Sequence, residues 1–285
     1  MEKRDIVFTR DGVELVGWLK LPTDGSNHPL IIITHGLSGI VDLDLESYAD
    51  IFCAAGFACL AYDHRNWGRS GGQPRGETDP WEQVGDMREA ISFARALPEV
   101  DPKRIGLWGT SYAGGHVLTV SALDRRVRCS VAQVPLISGS RTFESWVPAD
   151  KMEKFVQRLD IDRDNRFAGA EPASSPAALP GSETEEWINH SDVNGTYSNY
   201  LTVRSFDLLR TYEPVSFVER IAPTPLMMIV ASNDVQTPTA WQLEAFEKIG
   251  SPKRLVEIDC RHYDVYMQDL EQAAGSALAW YQEHL

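Results

Sequence analysis

The distribution of apolar residues along the chain predicts strands that alternate with helices. Residues 30–34 and 57–62 are continuous, largely apolar runs, and such short runs are typical of strands buried on both faces of a parallel sheet. Two earlier runs, at 4–9 and 13–21, are separated by Asp11-Gly12, which indicates an antiparallel hairpin. Four further strand-like runs occur at residues 104–108, 127–134, 226–231 and 254–259.

Segments of helical periodicity separate these runs. Residues 42–55 stop before Gly56, and residues 78–97 open with Asp79-Pro80, a cap followed by proline at the first helical position. Strands that alternate with helices predict an α/β fold with a mostly parallel eight-stranded sheet flanked by helices. Further helices are expected after residue 111 to about residue 123, from Thr237-Pro238 to Gly250, and from about residue 266 to residue 284.

Residues 138–212 interrupt the alternation and carry no strand signal. Their many aromatic side chains would be poorly placed in water, so we expect a mostly helical insertion that covers the sheet. The predicted organisation is a core of residues 1–137 and 213–285 with a lid of residues 138–212. The aromatic residues of the insertion are Phe143, Trp146, Phe155, Phe167, Trp187, Tyr197, Tyr200, Phe206 and Tyr212.

The sequence around Ser111 carries the strongest chemical signal. Residues 109–113, Gly-Thr-Ser-Tyr-Ala, follow a predicted strand and precede an apolar helix. They approximate the G-x-S-x-G pattern, in which a nucleophilic serine occupies a sharp strand-to-helix turn. The strained turn requires small residues two positions before and after the serine, and Gly109 meets this need better than Ala113. We therefore expect Ser111 to be a nucleophile.

A serine hydroxyl needs a base to become nucleophilic, and His262 is the best-placed histidine. It follows the last predicted strand, 254–259, whereas the other six histidines have less suitable positions. An acid that orients the imidazole is expected after the preceding strand, where Asp234 lies. Serine, aspartate and histidine then occur in the order known for triads of this kind. Asp259 and Asp264 are rival candidates for the acid.

Two backbone N–H groups are expected to bind the oxyanion that forms when a serine attacks a carbonyl. One belongs to Tyr112, the residue after the nucleophile. The other is expected in the loop 35–39, His-Gly-Leu-Ser-Gly, at Leu37. We interpret His35 as a residue that fixes this loop by hydrogen bonding rather than as an acid or base.

Aromatic residues are the candidates for the substrate pocket, because a mainly apolar cavity with few polar groups suits an acyl substrate. From the lid we expect Trp146 and some of Trp187, Tyr197 and Tyr200 to face this pocket. Trp67 belongs to the glycine-containing loop 63–72, which we interpret mainly as structural. The full set of candidates is Trp67, Trp146, Trp187, Tyr197, Tyr200 and Tyr263.

Taken in order, these motifs resemble the α/β-hydrolase superfamily over nearly the whole chain. Residues 109–115, Gly-Thr-Ser-Tyr-Ala-Gly-Gly, and 262–266, His-Tyr-Asp-Val-Tyr, are most similar to dienelactone-hydrolase-related enzymes and to the fungal polyketide-transferase or thioester-hydrolase group. The resemblance implies acyl substrates, including acyl groups released from a carrier. Dienelactone hydrolases proper use cysteine where this chain has Ser111. X-prolyl peptidases and cocaine esterases have tyrosine at the position of Leu37, so a hydroxyl-assisted oxyanion hole is not expected.

The leading hypothesis is a serine hydrolase that cleaves a carboxylic ester, lactone or thioester through an acyl-serine intermediate. An acyltransferase that passes the same acyl group to an alcohol is an alternative, because the outcome depends on whether the lid excludes water. A C–C bond hydrolase and a non-catalytic ligand receptor on the same fold are further alternatives.

Charge and composition narrow the range of partners. The net charge of −14 over 285 residues would repel phosphate backbones and anionic lipid headgroups. We therefore expect a small-molecule acyl substrate and neither nucleic acid nor a membrane surface as a partner. The four cysteines form no C-x-x-C pair and lack zinc-ligand spacing, and we expect no metal ion and no cofactor. No run of signal-peptide length opens the chain, so a cytoplasmic location is the expectation; a homodimer is left open.

Overall fold

An eight-stranded sheet lies at the centre of the computed structural model, which describes residues 1–23 and 25–285. The described residues form ten strands, of which all except β7 and β8 belong to this sheet: β1 (Glu2–Arg10), β2 (Val13–Leu21), β3 (His28–Thr34), β4 (Ala58–Tyr62), β5 (Val100–Thr110), β6 (Val127–Gln133), β7 (Ser174–Ser175), β8 (Leu201–Thr202), β9 (Leu226–Ala231) and β10 (Lys253–Ile258). Across the sheet the order is β1-β2-β4-β3-β5-β6-β9-β10. β2 pairs antiparallel with β1 and β4, and the remaining neighbours pair in parallel. The predicted sheet is confirmed.

Helices flank the sheet and connect its parallel strands. They are α1 (Leu45–Ala54), α2 (Pro80–Ala96), α3 (Tyr112–Leu123), α4 (Gly139–Trp146), α5 (Met152–Phe167), α6 (Glu183–Ser191), α7 (Val203–Leu209), α8 (Thr239–Lys248) and α9 (Leu270–His284). The carboxylate of Asp79 accepts the N–H groups of Trp81 and Glu82 at 3.0 and 3.3 Å, so it caps α2 as predicted. The last helix begins later than predicted, because Asp264–Tyr266 form a separate 3-10 turn. None of the described helices is long and apolar enough to cross a bilayer.

The apolar core forms one layer on each face of the sheet. In β3, Leu30 and Ile32 pack in one layer while Ile31 and Ile33 pack in the other, and all four are fully buried. Alternate side chains of a strand point to opposite faces, which explains why this strand has an unbroken apolar sequence. Both faces are therefore anchored, and the loops at the carboxyl ends of the parallel strands start from a rigid platform.

The segment 138–212 follows β6 and contributes α4 to α7. Contrary to the sequence pattern, it also contains the two short strands β7 and β8, which pair antiparallel with each other outside the main sheet. Phe143, Val147, Leu159 and Val203 form a small apolar cluster of their own within this segment. The segment therefore has a local core in addition to its contacts with the main sheet.

Candidate active site

Ser111 lies at a sharp turn between β5 and α3. Its backbone angles, φ 55° and ψ −120°, fall outside the regions that most residues adopt. The neighbouring chain holds this conformation, since the Ser111 N–H donates to the Gln133 carbonyl at 2.9 Å and the Ser111 carbonyl accepts from the Leu136 N–H at 2.8 Å. A Cβ on Gly109 would approach the Ala113 carbonyl oxygen to 2.5 Å. Position 109 therefore requires glycine, whereas the methyl group of Ala113 is accommodated.

The structure brings Ser111, His262 and Asp234 together in one hydrogen-bonded chain. His262 Nε2 lies 3.0 Å from Ser111 Oγ, and His262 Nδ1 lies 2.8 Å from Asp234 Oδ2. The three residues follow β5, β10 and β9, and the carboxyl ends of these parallel strands meet at one edge of the sheet. This geometry suits transfer of the serine proton to the imidazole while the carboxylate holds the other ring nitrogen.

Asp234 is surrounded by hydrogen-bond donors that the sequence pattern did not identify. The N–H groups of Gln236 and Thr237 donate to its Oδ1 at 2.9 and 2.8 Å, and Gln242 Nε2 donates to Oδ2 at 3.1 Å. Burial by itself would raise the pKa of Asp234, but His262 and the Thr237 groups outweigh burial, and the net pKa is lowered. Asp234 is therefore held as a carboxylate. The sequence signal was Thr237-Pro238, which we interpreted only as a helix start.

The two rival acids have other partners. Asp259 Oδ1 accepts from the side chains of Ser232 and Asn233, each at 3.0 Å. Asp264 accepts the Arg261 N–H at 2.8 Å and pairs with the Arg261 guanidinium. Within the described residues, neither carboxylate forms a hydrogen bond with His262, so Asp234 is the acid that the geometry favours.

The loop after β3 faces Ser111. A Cβ on Gly36 would lie 3.1 Å from Ser111 Cβ, so glycine leaves the serine accessible. Leu37 and Tyr112 line the same cavity as Ser111. Their backbone N–H groups donate to no acceptor among residues 1–23 and 25–285. Two unpaired N–H groups beside a nucleophile match the requirement for an oxyanion hole.

His35 belongs to the framework of this loop. His35 Nδ1 lies 3.0 Å from the Gly36 carbonyl, and Nε2 accepts the His64 N–H at 3.1 Å. Burial lowers the pKa of His35 to about 4, so the ring is neutral near pH 7. These contacts support the prediction that His35 fixes the loop and takes no part in proton transfer.

A cavity of about 330 Å³ opens onto Ser111. Trp146, Trp187 and Tyr263, three of the six predicted pocket residues, line it. Phe155 and Phe206 of the inserted segment line it as well, and the sequence pattern gave no reason to single them out. They contact each other edge to face with a 5.3 Å separation of ring centroids. The wall is therefore shared between the core and the inserted segment.

The other three predicted pocket residues lie elsewhere. Trp67 is buried, its indole N–H donates to Thr78 Oγ1 at 3.1 Å, and its ring stacks on Tyr200. Both rings line a separate cavity of about 160 Å³. Tyr197 does not line the main cavity, but its hydroxyl forms a 3.0 Å hydrogen bond with Ser38, which does. These aromatic side chains contact other residues of the protein, and the sequence pattern does not reveal those contacts.

The cysteines and potential metal ligands offer no second reactive centre in the described part of the chain. All four cysteines are unpaired and buried, and burial raises the pKa of the Cys260 thiol to about 12. In the same residues no group of three His, Cys, Asp or Glu side chains is placed to hold a metal ion. Ser111, by contrast, has a ring nitrogen of His262 within 3.0 Å of its hydroxyl oxygen.

Comparison with known proteins finds relatives over most of the chain. The chain is 29% identical to the thiohydrolase aneE of Aspergillus aculeatus, over 90% of this chain and 84% of the relative. It is 32% identical to the quorum-quenching protein AidA of Acinetobacter baumannii, over 82% and 80% of the two chains. The polyketide transferase grgF of Penicillium is 29% identical over 100% of this chain and 98% of the relative. The resemblance to the fungal thioester-hydrolase and transferase group is confirmed.

The solved structures lead to the same fold. The crystal structure of the α/β-hydrolase GrgF from Penicillium matches with a TM-score of 0.89 at 28% identity, covering 100% of this chain and 99% of that one. These relatives show an enzyme of the hydrolase class that acts on esters or thioesters or transfers acyl groups. The model of the X-Pro dipeptidyl-peptidase (S15) family matches residues 11–264, and the chain therefore belongs to that family of α/β-hydrolases.

Proposed function

We propose that the protein cleaves a carboxylic ester, lactone or thioester through an acyl-serine intermediate. In this proposal Ser111 is the nucleophile, His262 is the general base and later the acid, and Asp234 orients the imidazole. The observation that carries the proposal is the continuous chain of hydrogen bonds from Ser111 Oγ through His262 to Asp234, at 3.0 and 2.8 Å, beside an apolar cavity.

The reaction proceeds in two halves. His262 Nε2 takes the hydroxyl proton while Ser111 Oγ bonds to the acyl carbon, and Asp234 stabilises the imidazolium. The N–H groups of Leu37 and Tyr112 hold the carbonyl oxygen as it becomes negative. The imidazolium then gives its proton to the departing alcohol or thiol. In the second half, water attacks the acyl-serine with the same base, releases the acid and restores the serine.

Residues 138–212 act as a lid in this proposal. Trp146 of α4, Phe155 of α5 and Phe206 of α7 line the cavity together with Ser111. Apolar side chains over a nucleophile exclude bulk water and strengthen the electrostatic contacts inside. We propose that the core, 1–137 and 213–285, supplies the reacting groups and that the lid supplies much of the acyl-binding wall.

The composition of the wall favours neutral acyl substrates over dipeptides. The described residues that line the cavity include no Asp, Glu, Lys or Arg. A peptide with a free amino terminus would place an ammonium group there without a carboxylate to pair it, and an unpaired buried charge is costly. The proposed substrate is therefore an ester or thioester even though the family description refers to peptidases.

Acyl transfer is the second candidate, because one close relative is named a polyketide transferase and the proposed lid would limit access of water. The deciding experiment gives the protein p-nitrophenyl esters and simple thioesters of increasing acyl length, with and without an added alcohol. Release of free acid supports hydrolysis, and a new ester in the presence of alcohol supports transfer. No turnover across the panel, with an equal result for Ser111→Ala, would contradict both.

A further inference from the structure

Most polar side chains in the cavity wall already have partners within the protein. A hydroxyl that is paired in this way adds little to recognition of a ligand, because binding would have to break an existing hydrogen bond. The pairs are Ser38 with Tyr197, Thr110 with Tyr266, Thr184 with Tyr263, and Ser182 with the Leu179 carbonyl.

Gln236 differs from these residues. It lines the cavity, and its side-chain amide has no hydrogen-bond partner among the described residues. Its backbone, however, is held on both sides, since its N–H donates to Asp234 at 2.9 Å and its carbonyl accepts the Trp146 indole N–H at 3.1 Å. A fixed backbone limits where the amide can reach. The side-chain amide of Gln236 therefore offers an unused hydrogen-bond donor and acceptor close to the proposed triad.

We propose that Gln236 is a specificity-determining residue that hydrogen-bonds an uncharged oxygen substituent, a hydroxyl or ketone, on the acyl group. This inference rests on the proposed function. Gln236 and Trp146 share both a hydrogen bond and the cavity wall, so Gln236 lies beside the mainly apolar space that suits an acyl chain. A hydroxyl or ketone that hydrogen-bonds to the amide replaces the water that the amide would otherwise bind.

Gln236 also discriminates against charged substituents on the acyl chain. A primary amide offers both a donor and an acceptor but no charge, and no charged side chain lines the cavity in the described part of the chain. An oxygen substituent without charge is therefore accommodated. An ammonium or carboxylate on the acyl chain would be desolvated without a counter-charge.

The test compares kcat/KM for p-nitrophenyl esters that share one leaving group and differ only in the acyl chain: unsubstituted, hydroxyl-bearing and ammonium-bearing. The wild-type protein is expected to prefer the hydroxyl-bearing ester. In Gln236→Met, which keeps the side-chain length without the amide, this preference should fall about five- to tenfold, the value of one ordinary hydrogen bond. In Gln236→Glu, the relative kcat/KM of the ammonium-bearing ester should rise.

Val235→Ala is the matched control, since Val235 is in the same loop with 63% of its surface exposed; its selectivity should equal that of the wild-type protein. A second series of esters carries the hydroxyl on the leaving group and tests whether Gln236 binds that part of the substrate instead of the acyl group. Equal selectivity in the wild-type protein and Gln236→Met would overturn the inference, and so would a loss confined to the leaving-group series. If Ser111→Ala abolishes turnover of all esters in either case, the proposed function stands independently.

Discussion

The catalytic edge of the sheet and the segment 138–212 are held in place by different interactions. At the edge, directional hydrogen bonds to backbone groups fix Ser111 and Asp234. The segment depends on a small apolar cluster and leaves Phe167 and Val193 96% and 83% exposed. Apolar packing tolerates volume-conserving changes far better than a hydrogen-bonded carboxylate tolerates loss of a partner. We therefore propose that the edge sets the chemistry and that the segment, together with Gln236 of the core, sets the choice of substrate.

A partly buried carboxylate connects the core to the inserted segment. Asp44, just before α1, accepts the Trp187 indole N–H at 2.7 Å and the Ser191 hydroxyl at 2.5 Å. Burial raises the pKa of Asp44, and these two hydrogen bonds partly oppose that shift. The inserted segment is thus attached to the core by specific polar contacts at α6.

The largest effect is expected for Ser111→Ala. Removal of the nucleophile should lower kcat by about 10⁶ for every ester, long or short, as for the loss of a triad serine. Steady-state assays with the ester panel measure this loss, and circular dichroism checks that the fold is retained. Turnover close to the wild-type rate would mean that the edge does not carry the chemistry.

Asp234→Asn is expected to have the next largest effect. The amide would favour the wrong imidazole tautomer, so kcat should fall by about 10⁴ regardless of acyl length. Asp259→Asn is the matched control, because Asp259 follows the neighbouring strand but pairs with Ser232 and Asn233. If Asp259→Asn loses activity and Asp234→Asn remains active, the acid has been assigned to the wrong residue.

Trp146→Ala probes the inserted segment and should alter selectivity. Loss of the indole from the wall is expected to lower kcat/KM for long acyl esters about tenfold more than for short ones, because a large apolar contact is lost. Trp81→Ala, an exposed tryptophan outside the cavity, serves as the control. An equal effect on short and long esters would remove the distinction between the two regions.

The smallest effect concerns stability and pH. Burial lowers the pKa of His35 to about 4 and that of His116 to about 3, so the folded state holds both rings neutral while the unfolded chain protonates them near pH 6.5. The contribution of these two neutral rings to the free energy of unfolding is complete above about pH 6.5 and is lost as the pH falls towards 4. Between pH 7 and 5.5 the free energy of unfolding should drop by about 1 kcal/mol for each histidine.

Urea unfolding at the two pH values measures this drop. His116→Gln removes one titrating ring and should reduce it, whereas His190→Gln, at an exposed position, should not. An equal drop in the wild-type protein and in His116→Gln would show that the His116 ring is not held neutral by the fold.

Sequence reasoning predicted the catalytic edge of the sheet better than the wall of the cavity. Ser111, His262 and Asp234 each follow a strand with a local signal, so their positions at one edge could be predicted from topology. The wall could be predicted only in part: Trp146, Trp187 and Tyr263 line it, but its full composition depends on which distant side chains meet. Tyr197 and Tyr200 were expected there but contact Ser38 and Trp67. Gln236 lies in no motif, and only the folded structure shows that it lines the cavity.

The central claim is an acyl-serine intermediate on Ser111, and intact-protein mass spectrometry tests it most directly. The protein is mixed with a p-nitrophenyl ester, quenched in acid within the first turnover and mapped by proteolysis. The account predicts a mass increase equal to one acyl group on the peptide that contains Ser111, and no such increase in Ser111→Ala. An acyl group found on another residue, or turnover without any adduct on Ser111, would contradict it.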